Sequence, residues 1–192
     1  MSQFLANAGH AHLNAALRVL SYLKGTKERC LHLGGGIPDI AGFSDLDWGS
    51  DHDDRKSTSA YVFHLGLGAV SWKLKKQMSV ALSSVESEYM AMCQAVKEAV
   101  WLSGLLEDLG IELQSPLIIY GDNQGALALA QNPDTHPCSK HVDIQYHFTR
   151  DLVCAGRIAV KYIPTKLMIA NALTKPLPQP QFSMLVEAMG VY

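Results

Sequence analysis

Acids placed at the ends of apolar runs are the first residues in this chain that could do chemistry. Asp45 closes the run Ile40-Ala41-Gly42-Phe43-Ser44, and Asp122 follows Leu117-Ile118-Ile119-Tyr120-Gly121. Such runs read as strands. In mixed sheets, functional groups gather at strand ends near a switch in strand order. A third acid, Glu88, falls in the first turns of a long helix. It precedes Tyr89, which lies on the apolar stripe, so Glu88 points near the sheet. Glu86 competes for the same role. Ser83-Ser84-Val85-Glu86 has capping-box spacing, a hydroxyl N-cap followed three residues later by an acid. That gives Glu86 a structural job and leaves Glu88 free to bind a metal. Either acid also suits the positive end of the helix without any catalytic role.

Three converging carboxylates would bind Mg2+, a hard cation that takes oxygen ligands and keeps several of its waters. Two such ions about 4 Å apart activate a water and stabilise the leaving oxygen of a phosphodiester. The reaction class is metal-assisted hydrolysis in line with the scissile bond, with no protein nucleophile.

The elements that must position these acids follow from periodicity. Apolar residues three to four apart predict a helix over 11–24, which Gly25 stops. Residues 29–33 read as a short strand, and Gly34-Gly35-Gly36-Ile37-Pro38 marks a boundary. Strands are expected over 40–45, 59–65 and 69–74, as an antiparallel meander with a charged turn at 51–56. The longest helix covers 83–109, with Val85, Tyr89, Met92, Val96, Ala99, Leu102, Leu106 and Leu109 as its stripe. The run 117–120 is an all-apolar, central strand. Helices over 123–130 and 140–155, a strand over 158–163 and a short helix over 168–173 complete the order β-β-β-α-β-α-α-β-α. That order describes a mixed sheet with helices on its faces.

Composition bounds the remaining possibilities. The chain has 192 residues, 48% hydrophobic and 18% charged, which fits a globular domain. It shows no secretory signal, and no apolar run approaches the ~20 residues of a membrane helix. Cys30, Cys93, Cys138 and Cys154 are scattered without CxxC pairing, as in a reduced cytosolic or nuclear protein. The net charge of -2 does not announce a nucleic-acid binder. Basic residues nevertheless cluster at Lys73, Lys75 and Lys76, and again at Lys161, Lys166 and Lys175. Clusters of this kind are often only a solvated face.

Several ordered motifs carry a family resemblance. They are Phe43-Ser44-Asp45-Leu46-Asp47-Trp48 with Asp54-Arg55-Lys56-Ser57-Thr58-Ser59, and Ala81-Leu82-Ser83-Ser84-Val85-Glu86-Ser87-Glu88-Tyr89-Met90-Ala91. Next come Tyr120-Gly121-Asp122-Asn123-Gln124 and Lys140-His141-Val142-Asp143-Ile144 with Tyr146-His147-Phe148. The last are Tyr162-Ile163-Pro164-Thr165 and Ile169-Ala170-Asn171-Ala172-Leu173-Thr174-Lys175-Pro176. Any one motif is weak, and the ordered set is specific. Together they resemble the ribonuclease H domain of copia-type retrotransposon Pol polyproteins. The segment around Leu20-Ser21-Tyr22-Leu23-Lys24-Gly25-Thr26 is similar to the end of the preceding reverse transcriptase region.

The resemblance implies an α/β, ribonuclease H-like fold: a five-stranded mixed sheet, three strands antiparallel and two parallel, with helices on both faces. It implies three segments. Residues 1–37 end the reverse transcriptase region, 38–176 form the ribonuclease H domain and 177–192 form a C-terminal tail. It implies two Mg2+ ions, with Mn2+ as a substitute, held by four acids. Asp45 bridges both ions, Glu88 and Asp122 are the second and third ligands, and the fourth position falls on Asn171, where family members usually carry aspartate. Asparagine keeps the size and one carbonyl oxygen but loses the charge, so one metal site is weakened. Ser84 and Gln124 match substrate-contacting positions, with Ser57 and His147 as weaker candidates. Small hydroxyl and amide groups suit a hybrid that is recognised by shape and 2′-hydroxyls. Ala60 stands where glycine is common, with no expected loss of function.

The implied activity is endonucleolytic cleavage of the RNA strand of RNA–DNA hybrids during reverse transcription, impaired here by Asn171. The implied partners are the hybrid and the reverse transcriptase portion of the same polyprotein, with no membrane. The location would be a cytoplasmic virus-like particle and the nucleus. The alternative is a catalytically silenced hybrid-binding module or an engineered substrate-trapping variant. Another enzyme of the same fold, such as an integrase or exonuclease core, fits the motif set less well. His136, Cys138, His141 and His147 lie close in sequence but lack the paired spacing of a structural zinc module. Trp48, Trp72 and Trp101 read as core or edge packing.

Overall fold

A computed structural model describes residues 7–35, 39–48, 56–78, 81, 83–111, 113, 116–132 and 140–192, with the backbone alone for 140–145. His136, Cys138, most of the 51–56 turn, residues 36–38 and the His141 side chain therefore lie outside the described residues, as do side chains of the Lys140–Ile144 motif.

The chain divides into two compact units. The first runs to Cys30 and takes in Tyr192; the second is Leu31–Val191. In the first unit, α1 (His10–Gly25) buries none of its side chains. Cys30 and Tyr192 exchange backbone hydrogen bonds of 2.8 and 3.1 Å. The strand expected at 29–33 is not formed; Leu31 and Gly34 make isolated bridges to Val191 and Gly66.

In the second unit the strands are β1 (Ile40–Asp47), β2 (Thr58–Leu65), β3 (Gly68–Lys76), β4 (Leu117–Gly121) and β5 (Ile158–Tyr162). The helices are α2 (Ser84–Asp108), α3 (Gln124–Gln131), α4 (Lys140–Cys154), α5 (Asn171–Thr174) and α6 (Gln179–Ala188), with a 3-10 turn at Thr165–Leu167. The sheet has five strands in the order β3-β2-β1-β4-β5. The β1–β2 and β2–β3 pairs are antiparallel, and the β1–β4 and β4–β5 pairs are parallel. This is the mixed sheet the sequence predicts, with β1 at the switch between its two halves. Residues 179–188, read from the sequence as tail, are helical, and Leu185 is 1% exposed. Pro178 precedes the helix and Pro180 sits within its first turn, where the absent N–H costs nothing.

Strand alternation sends neighbouring side chains to opposite faces and so builds two cores. Tyr61 and Phe63 of β2 join Tyr89, Met92, Val96 and Ala99 of α2 in the larger cluster. Val62, between them, joins Met168, Ile169, Leu185 and Met189 in the smaller one. The α2 stripe is buried as expected from Tyr89 to Leu106, whereas Leu109 is 66% exposed because the helix has run past the sheet. Trp48, Trp72 and Trp101 are each more than half exposed, so of the core or edge packing expected of them the core is excluded, and Trp72 lies on the edge strand β3. Among the described residues, no helix is long and apolar enough to cross a membrane.

β1 is held to its neighbours by close aromatic packing. Phe43 stacks on Tyr120 with ring centroids 5.1 Å apart. Gly42 lies opposite Phe63, and a Cβ placed on Gly42 would come within 2.6 Å of the Phe63 ring. Phe63 is fully buried and has nowhere to retreat. Gly42→Ala is therefore expected to lower stability by about 1–3 kcal/mol through overpacking, read as a lower denaturation midpoint with an unchanged m-value.

Candidate metal centre

Register brings the first two acids together. Phe43 of β1 pairs with Tyr120 of β4 in parallel, and two residues further along stand the acids, Asp45 within β1 and Asp122 just past the end of β4. Parallel neighbours lie about 4.8 Å apart, so equal offsets leave the two carboxylates side by side. Glu88 arrives on the first turns of α2. That helix starts cleanly because the Ser83 hydroxyl accepts a 3.1 Å hydrogen bond from the Glu86 N–H. One oxygen from each of Asp45, Glu88 and Asp122 can be chosen so that all three lie within 4.8 Å of one another.

The electrostatics match the geometry. Asp45 is 0% exposed, and burial raises its pKa above the usual carboxylate range. The Lys175 ammonium and the Thr174 hydroxyl oppose that shift, and the Asp122 charge adds to it. Glu88 is pushed from 4.5 up to about 8, by burial first and then by the charges of Asp45 and Asp122. Three carboxyl groups gathered beside one another, two of them with pKa values raised by burial, are a donor set suited to a hard divalent cation.

Asn171 reaches the same centre from the opposite side of the sequence. It opens α5 and is 1% exposed. Its Nδ2 donates a 2.7 Å bond to the Thr165 carbonyl, which turns Oδ1 towards the acids. Lys175 Nζ donates to that Oδ1 at 2.8 Å and to Asp45 Oδ1 at 3.0 Å. The Thr174 hydroxyl donates to the other Asp45 oxygen. The sequence reading missed Thr174 and Lys175 as members of the centre. Lys175 stands four residues after Asn171, a spacing that ties it to the amide but not to Asp45.

The substrate candidates are placed as follows. Ser84 and Gln124 are exposed, each the first residue of its helix. Asn123 caps α3 by accepting a 3.1 Å bond from the Ala126 N–H. The two helix starts abut, since a Cβ on Gly125 would sit 3.1 Å from Val85. His147 is exposed on α4, whereas Ser57 is 3% exposed and keeps its hydroxyl inside. Ala60 lies directly opposite Asp45 in regular antiparallel register.

No protein-family model matches the chain. All 192 residues align at 38% identity with the retrovirus-related Pol polyprotein from transposon TNT 1-94 of Nicotiana tabacum, covering 14% of that protein. They align at 40% identity with the corresponding polyprotein from transposon RE1 of Arabidopsis thaliana, covering 13% of it. The chain thus spans only a small part of the length of these relatives. Among solved structures, it is similar to the N-terminal RNase H domain of Rv2228c from Mycobacterium tuberculosis, studied as a fusion with maltose-binding protein. The TM-score is 0.52 at 12% identity, over 79% of this chain and 99% of that one. At that identity the likeness establishes the fold.

Two outcomes follow from the buried acids and the amide. A raised folded-state pKa means that Glu88 holds its proton more tightly in the folded chain than in the unfolded one. Its contribution to stability is present below 4.5 and is lost as pH rises through about 8. The metal-free melting temperature is expected to fall over that window, and Glu88→Gln to flatten the fall. In Asn171→Asp, a carboxylate oxygen would face the Thr165 carbonyl in place of the Nδ2 donor. Thermal denaturation of the metal-free variant should show a loss of about 1–3 kcal/mol, recovered when Mg2+ or Mn2+ is added.

Proposed function

The chain belongs to the copia-type family of retrovirus-related Pol polyproteins, and from that premise we propose that it is the segment that hydrolyses the RNA strand of RNA–DNA hybrids during reverse transcription. The convergence of Asp45, Glu88 and Asp122 from β1, α2 and β4 carries this reading. The ribonuclease H-like fold and the match across the full chain support it. Residues 1–37 are read as the end of the reverse transcriptase region, which would be the domain's covalent partner.

Two Mg2+ ions, with Mn2+ as a substitute, would polarise the scissile phosphate and supply a water acidic enough to attack it. The residues of the chain do the rest. Asp45, on the central strand and held by Thr174, would be one of the residues that hold the ions. Glu88 and Asp122 would be the further ligands, and Glu88, whose proton burial favours, would have to give that proton up to bind a cation. Asn171 offers a carbonyl oxygen in a fixed orientation but no charge, so the site it completes is weakened. Ser84 and Gln124, at adjoining helix starts, would touch the sugar edge of the strand next to the acids.

Asn171 also favours a second reading, a domain that binds hybrid without cutting it. A labelled hybrid incubated with the chain and with Asn171→Asp distinguishes the two. Cleavage is expected to be slow or absent in the chain as it stands. It should rise by about 10- to 100-fold or more in the variant, the scale on which groups around a metal alter activity. A restored variant that leaves the hybrid uncut in Mg2+ and Mn2+ overturns the nuclease reading. Tight hybrid binding that persists without metal favours the second.

A further inference from the structure

Oxygens converge at two points in the centre, and Asp45 belongs to both. One point is formed with Glu88 and Asp122. At the other, Asp45 Oδ1 and Asn171 Oδ1 face a single atom, Lys175 Nζ, at 3.0 and 2.8 Å. An ammonium carries three N–H donors, and Lys175 spends two of them here. It stands between a carboxylate and a carbonyl as a bound cation would, with oxygen on more than one side.

Charge decides which cation suits this second point. Asp45 brings at most one negative charge, and the Asn171 amide brings none. One ammonium is enough to balance them. A divalent ion in the same place would leave positive charge in excess, whereas a carboxylate at 171 would absorb it. Asn171 cannot turn away to offer its other end, because Nδ2 donates to the Thr165 carbonyl at 2.7 Å. The amide and the ammonium are therefore matched to one another.

The ammonium is nonetheless free to leave. The Lys175 side chain is 31% exposed, while that of Asp45 is 0% exposed. The backbone beneath it is anchored by other means. The Lys175 N–H donates to the Asn171 carbonyl at 3.1 Å, the Thr174 hydroxyl bonds the second Asp45 oxygen, and Ala172 and Leu173 pack against the smaller core. Only a flexible four-carbon stem joins the ammonium to that anchored backbone. It can swing into solvent while α5 stays in place.

We propose that Lys175 is a resident cation of the centre, holding the oxygens of Asp45 and Asn171 until a second divalent ion displaces it, an inference that rests on the metal-binding reading above. The chain then takes one ion at Asp45, Glu88 and Asp122, and a second only in exchange for the ammonium. Without metal, the same ammonium keeps Asp45 from standing enclosed with no cation beside it.

The test titrates Mn2+ into the metal-free chain and into Lys175→Met, counting free Mn2+ by electron paramagnetic resonance. The unaltered chain is expected to bind one ion tightly and a second weakly. In Lys175→Met the second should bind about 10- to 100-fold tighter, the scale on which groups beside a metal alter its affinity, and the first should change less. Lys175→Arg, which keeps the charge, should leave the second ion weak. A second-ion affinity that is unchanged in Lys175→Met overturns the proposal. An equal gain for both ions reveals a general effect of charge and also overturns it. Should Lys175→Met not fold, nuclear magnetic resonance of the unaltered chain gives the answer. The Lys175 Cε–Hε signal, identified by its loss in Lys175→Arg, should move to the position of solvated lysines as Mg2+ saturates the second site. A signal that stays in place overturns the displacement. If the unaltered chain and Lys175→Arg bind no Mn2+ at all, the metal-binding reading falls, and this inference with it.

Discussion

Packing three carboxylates around one point inside a folded domain is unfavourable, and much of the arrangement around β1 answers that constraint. Asp45 is wholly enclosed and has Glu88 and Asp122 for neighbours. An isolated buried charge is costly unless it is paired and hydrogen-bonded. The chain supplies both remedies from one short segment, since Thr174 and Lys175 each bond an Asp45 oxygen. Glu88 receives no such help on that scale and retains its proton to about pH 8. The centre is thus poised to accept a cation, with one buried acid held by a hydroxyl and an ammonium and another pushed towards its neutral form by burial.

The sheet makes this crowding sustainable. Phe43 against Tyr120 and Gly42 beneath Phe63 fix β1 to both neighbours, so Asp45 cannot withdraw by shifting register. A one-residue slip would turn Asp45 to the other face and carry Phe43 out of its stack. α2 is similarly fixed, through Tyr89 stacked on Tyr146 at 3.9 Å and Glu98 tied to β2 and β3. Rigid elements on either side hold groups that would otherwise separate.

Asn171 fits this picture as more than a missing acid. Its amide spans two partners of opposite character, the Thr165 carbonyl and the Lys175 ammonium. A carboxylate can satisfy only the second. The amide therefore steadies the chain between the 3-10 turn and α5 at the expense of metal-binding charge.

The sequence by itself determined the succession of strands and helices from residue 40 onward, the long helix and the acids at the strand ends. Period-two and helical apolar patterns are local properties that survive without knowledge of the neighbours. It also separated Glu88 from Glu86, because an N-cap hydroxyl three residues before an acid has a local consequence. The fourth position, Asn171, came from the motif resemblance, since nothing in its immediate surroundings marks it. Only the tertiary structure decided which cation stands among the acids, that Ser57 is enclosed, that the three tryptophans face outward and that the last residues form a helix over the second core. Each of these depends on what a distant segment places alongside. Lys175 meets Asp45 across 130 positions of sequence, and no spacing rule reaches that far.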